Sequence, residues 1–244
     1  MRSIFILFFL IFYSIISLPL YLYVYLLGKV NPAKKRIIAQ KIVVRAFKCV
    51  MAIGGVKVHA IGLENIPTDL PVLYVANHRG FFDILAGYST VPNPTCFVSK
   101  KELRKVPCIN HWMMFLKCLF LDRSDIKAGM KTILKGIEQM KDGYSIFIMP
   151  EGSRSKTKDM LPFHDASFKF AQKTGYPVVP VAITNSDEAF EKHLPWVKPA
   201  KVTIYYDKPF YIKDLDKEDQ KHVGQYARSI IKENLDKINE GVIQ

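Results

Sequence analysis

The chain has 244 residues, 35 of them Lys or Arg and 22 Asp or Glu, for a net charge of +13. That length allows one domain with a core of normal depth plus an appendage. The charge suits an anionic partner: nucleic acid, an acidic membrane surface or a phosphorylated substrate. The four cysteines, Cys49, Cys96, Cys108 and Cys118, form no C-x-x-C pair and lie in apolar stretches. They read as small buried hydrophobes, which argues against a disulfide framework or a thiolate metal site.

In chain order, residues 4–27 (IFILFFLIFYSIISLPLYLYVYLL) carry no charge. Roughly 20 apolar residues suffice to cross a bilayer core, and Pro19 offers a kink or a re-entrant turn. No small-x-small cleavage site follows, so a signal peptide fits less well. Arg2 flanks the run on one side and Lys29, Lys34, Lys35 and Arg36 on the other. The positive-inside rule then leaves the rest of the chain on the cytoplasmic face of the cell membrane. Residues 31–55 interleave Ile37, Ile38, Val43, Val44, Phe47 and Met51 with Lys35, Arg36, Lys41, Arg45 and Lys48. This spacing predicts a basic amphipathic helix ending at Gly54-Gly55, suited to anionic membrane lipid. Residues 1–55 are thus read as membrane-associating helices and 56–244 as the globular domain.

From residue 56 the period changes. Strands are expected at VKVHAIG, at PVLYVA (71–76), at TCFVS (95–99), at CLFLD, at YSIFIM (144–149), at PVVPVAI (177–183) and at KVTIYY (201–206). Helices are expected from about Phe81, over 109–117, over 126–143 closed by Gly143, in ASFKFAQKTG closed by Gly175, and over about 216–239. This alternation predicts an α/β fold with helices on both faces of a mostly parallel sheet, preceded by the apolar and basic helical pair.

Polar residues collect where the buried strands end. Asn77 and His78 follow the strand at 71–76, Gly80 permits a tight turn, and Asp83 falls in the first turn of the next helix. An aspartate that accepts the imidazole N–H leaves the other nitrogen free as a base. A surface turn histidine and a helix-capping aspartate fit the same pattern. The strand in IFIMPEGSRSK (146–156) ends in a small-residue turn with two cations, which suits a phosphate or a polar loop. Residues 98–107 (VSKKELRKVP) carry a run of cations, and Arg123 follows the strand in CLFLDR. His78 and Asp83 lack a third ligand at fitting spacing for a metal. Nothing in the chain calls for a cofactor.

Taken in order, N-H-R-G-F-F-D, K-K-E-L-R-K-V-P, F-L-D-R, P-E-G-S-R-S, L-P-F-H-D-A-S-F and V-V-P-V-A-I resemble the motifs of the 1-acyl-sn-glycerol-3-phosphate (lysophosphatidic acid) acyltransferase family. The resemblance runs from about GLENIP (62–67) to Ile183, half the chain. It implies that His78 is the general base and Asp83 its partner. It also implies that Arg123 and the turn of Glu151, Gly152, Ser153 and Arg154 bind the glycerol phosphate, with Lys100 assisting. The family usually has Thr where Ser153 stands and Gly where Ala166 stands.

The implied reaction moves an acyl group from a thioester, acyl-CoA or acyl-carrier protein, to the sn-2 hydroxyl of lysophosphatidic acid, giving phosphatidic acid. No serine or cysteine adjoins His78, so direct attack by the hydroxyl is expected rather than an acyl-enzyme. Another lysophospholipid acceptor, or a non-enzymatic basic membrane protein, are the alternatives. A nucleic-acid partner leaves the apolar N-terminus unexplained and has no binding motif in its support.

Overall fold

The computed structural model describes residues 1–122, 125–157 and 159–243. The uncharged N-terminus forms one helix, α1 (Arg2–Val30), which continues through Pro19. Proline lacks the N–H that would bond one turn back, yet the helix does not end there. Asn31 does end it, and its side chain accepts the Lys34 N–H at 2.9 Å. With Pro32 at the first helical position it starts α2 (Pro32–Gly54). Gly55, at φ 73°, closes α2 in the left-handed conformation that favours glycine.

The remaining elements are β1 (Val56–Ile61), β2 (Leu73–Ala76), α3 (Phe82–Thr90), β3 (Thr95–Lys100), α4 (Ile109–Phe115), β4 (Leu119–Leu121), α5 (Ile126–Lys141), β5 (Ser145–Ile148), α6 (Lys169–Thr174), β6 (Val178–Thr184), β7 (Ala200–Tyr206), α7 (Lys217–Lys221) and α8 (Val223–Asn239). Each strand read from the sequence is present. The single terminal helix expected over 216–239 is broken at His222, whose backbone (φ −115°, ψ 39°) leaves the helical region.

The sheet order is β1-β7-β6-β2-β5-β3-β4. Strands β2 to β6 run parallel, whereas β7 is antiparallel to β6 and β1 is parallel to β7. The carboxyl ends of β2, β3, β4, β5 and β6 therefore share one end of the sheet with the starts of β1 and β7. In β2, β5 and β6 every residue is buried, as expected for strands covered on both faces.

Alternate residues of each strand serve opposite faces. Tyr74 and Phe147 join a core with α2 and α3, while Leu73, Val75, Ile146 and Ile148 join a second core with α5, α6 and α8. An aromatic layer runs across the first face: Phe97 stacks on Phe147 at 4.7 Å, and Phe147 on Tyr74 at 5.7 Å. Helix α2 buries Val43, Val50 and Met51 in that core. Helix α1 packs along α2, with a narrow buried seam of Ile6, Ser17 and Val24.

Gly87 of α3 lies directly on this aromatic layer. A Cβ there would stand 2.8 Å from Phe147 Cζ and 3.0 Å from Cε2. Overpacking a filled core typically costs about 1–3 kcal/mol, and valine adds more than one methyl. Gly87→Val is expected to lower the unfolding free energy by an amount within that range, read as a lower urea midpoint. An unchanged midpoint would show that the layer has slack.

Candidate active site

β2 ends at Ala76, and Asn77 extends its pairing by side chain alone. Its Nδ2 donates to the Ile183 carbonyl at 2.9 Å, and its Oδ1 accepts the Ile183 N–H at 2.8 Å. A fully buried amide thus mimics one more ladder residue toward β6. It holds the strand end where the chain turns out of the sheet.

His78 is the next residue, with its side chain 17% exposed. Asp83 lies in the first turn of α3 and is wholly buried. Its Oδ2 accepts three hydrogen bonds: from His78 Nδ1 at 2.8 Å, from the Arg79 N–H at 2.7 Å and from the Gly80 N–H at 2.8 Å. Because a carboxylate only accepts, the proton sits on Nδ1 and the lone pair on Nε2. Among the described residues Nε2 has no hydrogen-bond partner. The same oxygen that orients the ring also folds the backbone of the turn beneath it.

The turn after β5 is joined to this one. Glu151 is buried, and its two carboxylate oxygens face inward: Oε1 accepts the His78 N–H at 2.6 Å, and Oε2 the Leu161 N–H at 2.8 Å. Burial raises its pKa, against the opposing pull of those two N–H bonds and of His78. The Ser155 N–H donates to the His78 carbonyl at 2.9 Å. Both backbone groups of the histidine are therefore held by the neighbouring turn. Gly152 sits at φ 74°, so the chain reverses there without a Cβ penalty. Ser153 and Arg154 face outward. Arg154 Nη1 donates to Glu191 Oε1 at 2.7 Å, so Glu151, three residues away in sequence, is not its partner.

Of the residues singled out in the sequence, His78, Asp83, Glu151, Gly152, Ser153 and Arg154 converge on adjacent strand ends. Glu151 braces the peptide of His78 with its carboxylate. Lys100, exposed, closes β3 at the same sheet end, separated from β2 by β5. Arg123 lies outside the described residues. Ala166, where the family pattern favours glycine, sits in a single 3₁₀ turn, Asp165–Phe168, without a positive φ, so its Cβ brings no strain. Sequence reasoning passed over three contributors. Asn77 stood in plain view between a buried strand and a histidine. Asp187, which pairs with Arg79 at 2.8 Å, and Glu191 sit beyond β6 in a stretch without any motif.

An imidazole with one nitrogen engaged and the other unpaired among the described residues is what an enzyme needs to take a proton from a hydroxyl group. The turn beside it carries an exposed arginine, Arg154. A family model described as "Acyltransferase" matches residues 57–184. The chain is 30% identical over 210 residues to the 1-acyl-sn-glycerol-3-phosphate acyltransferase of Saccharomyces cerevisiae, covering 84% of this chain and 68% of that one. It is 28% identical over 186 residues to the enzyme of the same name from Borreliella burgdorferi, covering 76% and 74%. Among solved structures, the crystal structure of the 1-acyl-sn-glycerophosphate (LPA) acyltransferase PlsC from Thermotoga maritima superposes with a TM-score of 0.78. It has 27% identity, and the match covers 98% of both chains. The chain belongs to the acyltransferase family.

General-base catalysis typically contributes about 10²–10⁴-fold. His78→Ala is accordingly expected to reduce acyl transfer at least 100-fold. Asp83→Asn, which leaves a side chain of the same size but loses the charge, is expected to retain a small residual rate. A His78→Ala enzyme within tenfold of wild type in steady-state assays would place the base elsewhere.

Proposed function

We propose that the protein transfers a fatty acyl group from an acyl thioester to the sn-2 hydroxyl of 1-acyl-sn-glycerol-3-phosphate, giving phosphatidic acid. One observation carries this reading: the base and the arginine turn form a single hydrogen-bonded unit, through His78 N–H to Glu151 and Ser155 N–H to the His78 carbonyl. A glycerol phosphate has its hydroxyl and its phosphate a short, nearly fixed distance apart, and such a unit matches that pairing. The names of the yeast and Borreliella relatives support the same acceptor.

In this mechanism the acceptor hydroxyl gives its proton to His78 Nε2 as its oxygen attacks the thioester carbonyl. Asp83 stabilises the imidazolium that forms. The carbon–sulfur bond then breaks, and the imidazolium returns the proton to the leaving thiolate. Arg154, with one N–H on Glu191, has further donors for phosphate oxygens, and its planar fork suits them. Lys100 and Arg123 are proposed to add positive charge on the same side. Coenzyme A and a carrier protein are both donors of the required chemistry, and parallel assays with each would separate them.

The N-terminal pair is proposed to seat the enzyme on its lipid substrate. α1 is long and apolar enough to cross a membrane, but both its ends are fastened to the domain. The Val197 N–H donates to Ser3 Oγ at 2.7 Å near its start, and Tyr21 stacks on Phe115 at 4.5 Å near its end. Phe5, Phe8, Phe12 and Ile15 point outward, each at least 60% exposed. A helix tied down at both ends lies along the bilayer surface with this row immersed. An anionic cytoplasmic leaflet fits the exposed cations that flank the apolar run, Arg2, Lys29 and Lys34.

Two measurements test the reading. Replacing Phe5, Phe8, Phe12 and Ile15 with serine is expected to reduce co-flotation with anionic vesicles at least tenfold and to leave the melting temperature nearly unchanged. Equal flotation would place the membrane contact on another surface. Arg154→Ala is expected to raise the KM for lysophosphatidic acid and lower kcat, with little change in the donor KM. Arg154→Lys should recover only part of the loss. An unchanged acceptor KM in a folded Arg154→Ala protein would remove this arginine from the phosphate site.

A further inference from the structure

We infer that Glu191 is a positioning residue for the acceptor phosphate: it holds Arg154 over the catalytic turn in the orientation that phosphate requires. The inference rests on the phosphate-binding reading of Arg154 proposed above. Glu191 lies outside the segment matched by the family model, which ends at residue 184. It belongs to a short 3₁₀ turn, Glu191–His193, between β6 and β7.

Three contacts place it. Its Oε1 accepts the Phe81 N–H at 2.8 Å and Arg154 Nη1 at 2.7 Å. Its Oε2 lies over Gly80, where a Cβ would stand 2.8 Å away. One carboxylate oxygen therefore ties the histidine–aspartate turn to the arginine of the β5 turn. The Arg154 side chain is 47% exposed and that of Glu191 only 17%. The carboxylate is the seated partner, and the guanidinium is the one that reaches outward. A guanidinium carries five N–H donors. One is bonded to Glu191, which leaves the outer side of the fork for an anion.

Bracing alone does not account for this arrangement. The same β6–β7 connection is already fastened to the catalytic turn by the Arg79–Asp187 pair at 2.8 Å. Besides its bond to the Phe81 N–H, Glu191 adds what Asp187 does not, a contact to Arg154. An exposed arginine has many rotamers to lose on binding phosphate. Fixing one of them in advance lowers the entropic penalty of acceptor binding. Such an effect appears in the acceptor KM, whereas loss of a general brace would disturb both substrates.

The test uses the full chain in detergent–lipid micelles, with lysophosphatidic acid and acyl donor varied separately. Glu191→Gln keeps a carbonyl for the Phe81 N–H and loses the charge that holds Arg154. It is expected to raise the acceptor KM about fivefold, within the range of interaction energies for contacting side chains. The donor KM and kcat should stay within about twofold, and the melting temperature should hold. In an Arg154→Ala background the same substitution should change the acceptor KM by less than about twofold.

Several outcomes would overturn the inference. Glu191→Gln could leave the acceptor KM unchanged, or lower it, which would make Glu191 a competitor for Arg154. It could also raise the KM by the same factor with and without Arg154. If Glu191→Gln melts early, Glu191→Asp, which keeps the charge on a shorter stem, is read in the same cycle and must show the same dependence on Arg154. The two readings fail separately. A silent Arg154→Ala removes the phosphate site and this inference with it. A raised KM in Arg154→Ala beside a silent Glu191→Gln removes this inference alone.

Discussion

Asp83 Oδ2 accepts three hydrogen bonds within six residues of chain, and the geometry of the site follows from it. A fully buried carboxylate is costly unless its lone pairs are used. Here the donors to Oδ2 are an imidazole and two successive backbone amides, so partnering that oxygen and shaping the turn are one event, while Oδ1 is buried without a hydrogen-bond partner among the described residues. Its place in the first turn of α3 adds the favourable field of a helix start. The turn must then be tight, and Gly80 has no space for a side chain between Glu191 and the backbone of Ser186 and Asp187.

The neighbouring elements hold this turn from three directions. Asn77 fixes the strand end through both backbone groups of Ile183. Glu151 and Ser155 hold the N–H and carbonyl of His78. Asp187 and Glu191 reach over from the β6–β7 connection. Each bond comes from a strand adjacent to β2 or from the loop that follows one. The order β6-β2-β5 therefore matters more to the site than any single motif. The parallel arrangement supplies it, since parallel neighbours deliver their following loops to one end of the sheet.

The apolar surface obeys a different constraint. α2 contributes Val43, Val50 and Met51 to the sheet's core. α1 has only a narrow seam on α2 and turns the rest of its apolar surface outward. Water does not favour such a surface. Its start lies beside Gly55 and Pro199, at the sheet end that carries the His78–Asp83 turn.

Much of this was legible in the linear chain. Buried runs such as LYVA and SIFI announced central strands, because continuous burial on both faces needs continuous hydrophobicity. Gly55, Gly143 and Gly175 marked helix ends through the backbone conformation that glycine alone adopts freely. His78 and Asp83 were readable because a five-residue separation across a glycine turn is a local geometry. The reversal of β7 against β6 was not readable, because strand direction depends on pairing between residues far apart in sequence. Nor was the tie from Glu191 to Arg154 and Phe81, which spans 37 and 110 residues. Glu151 looked like a ligand from its motif, and only the packing of β5 against β2 turned its carboxylate inward. Local periodicity and turn chemistry are written residue by residue, whereas the partner of a side chain is decided by which strands lie side by side.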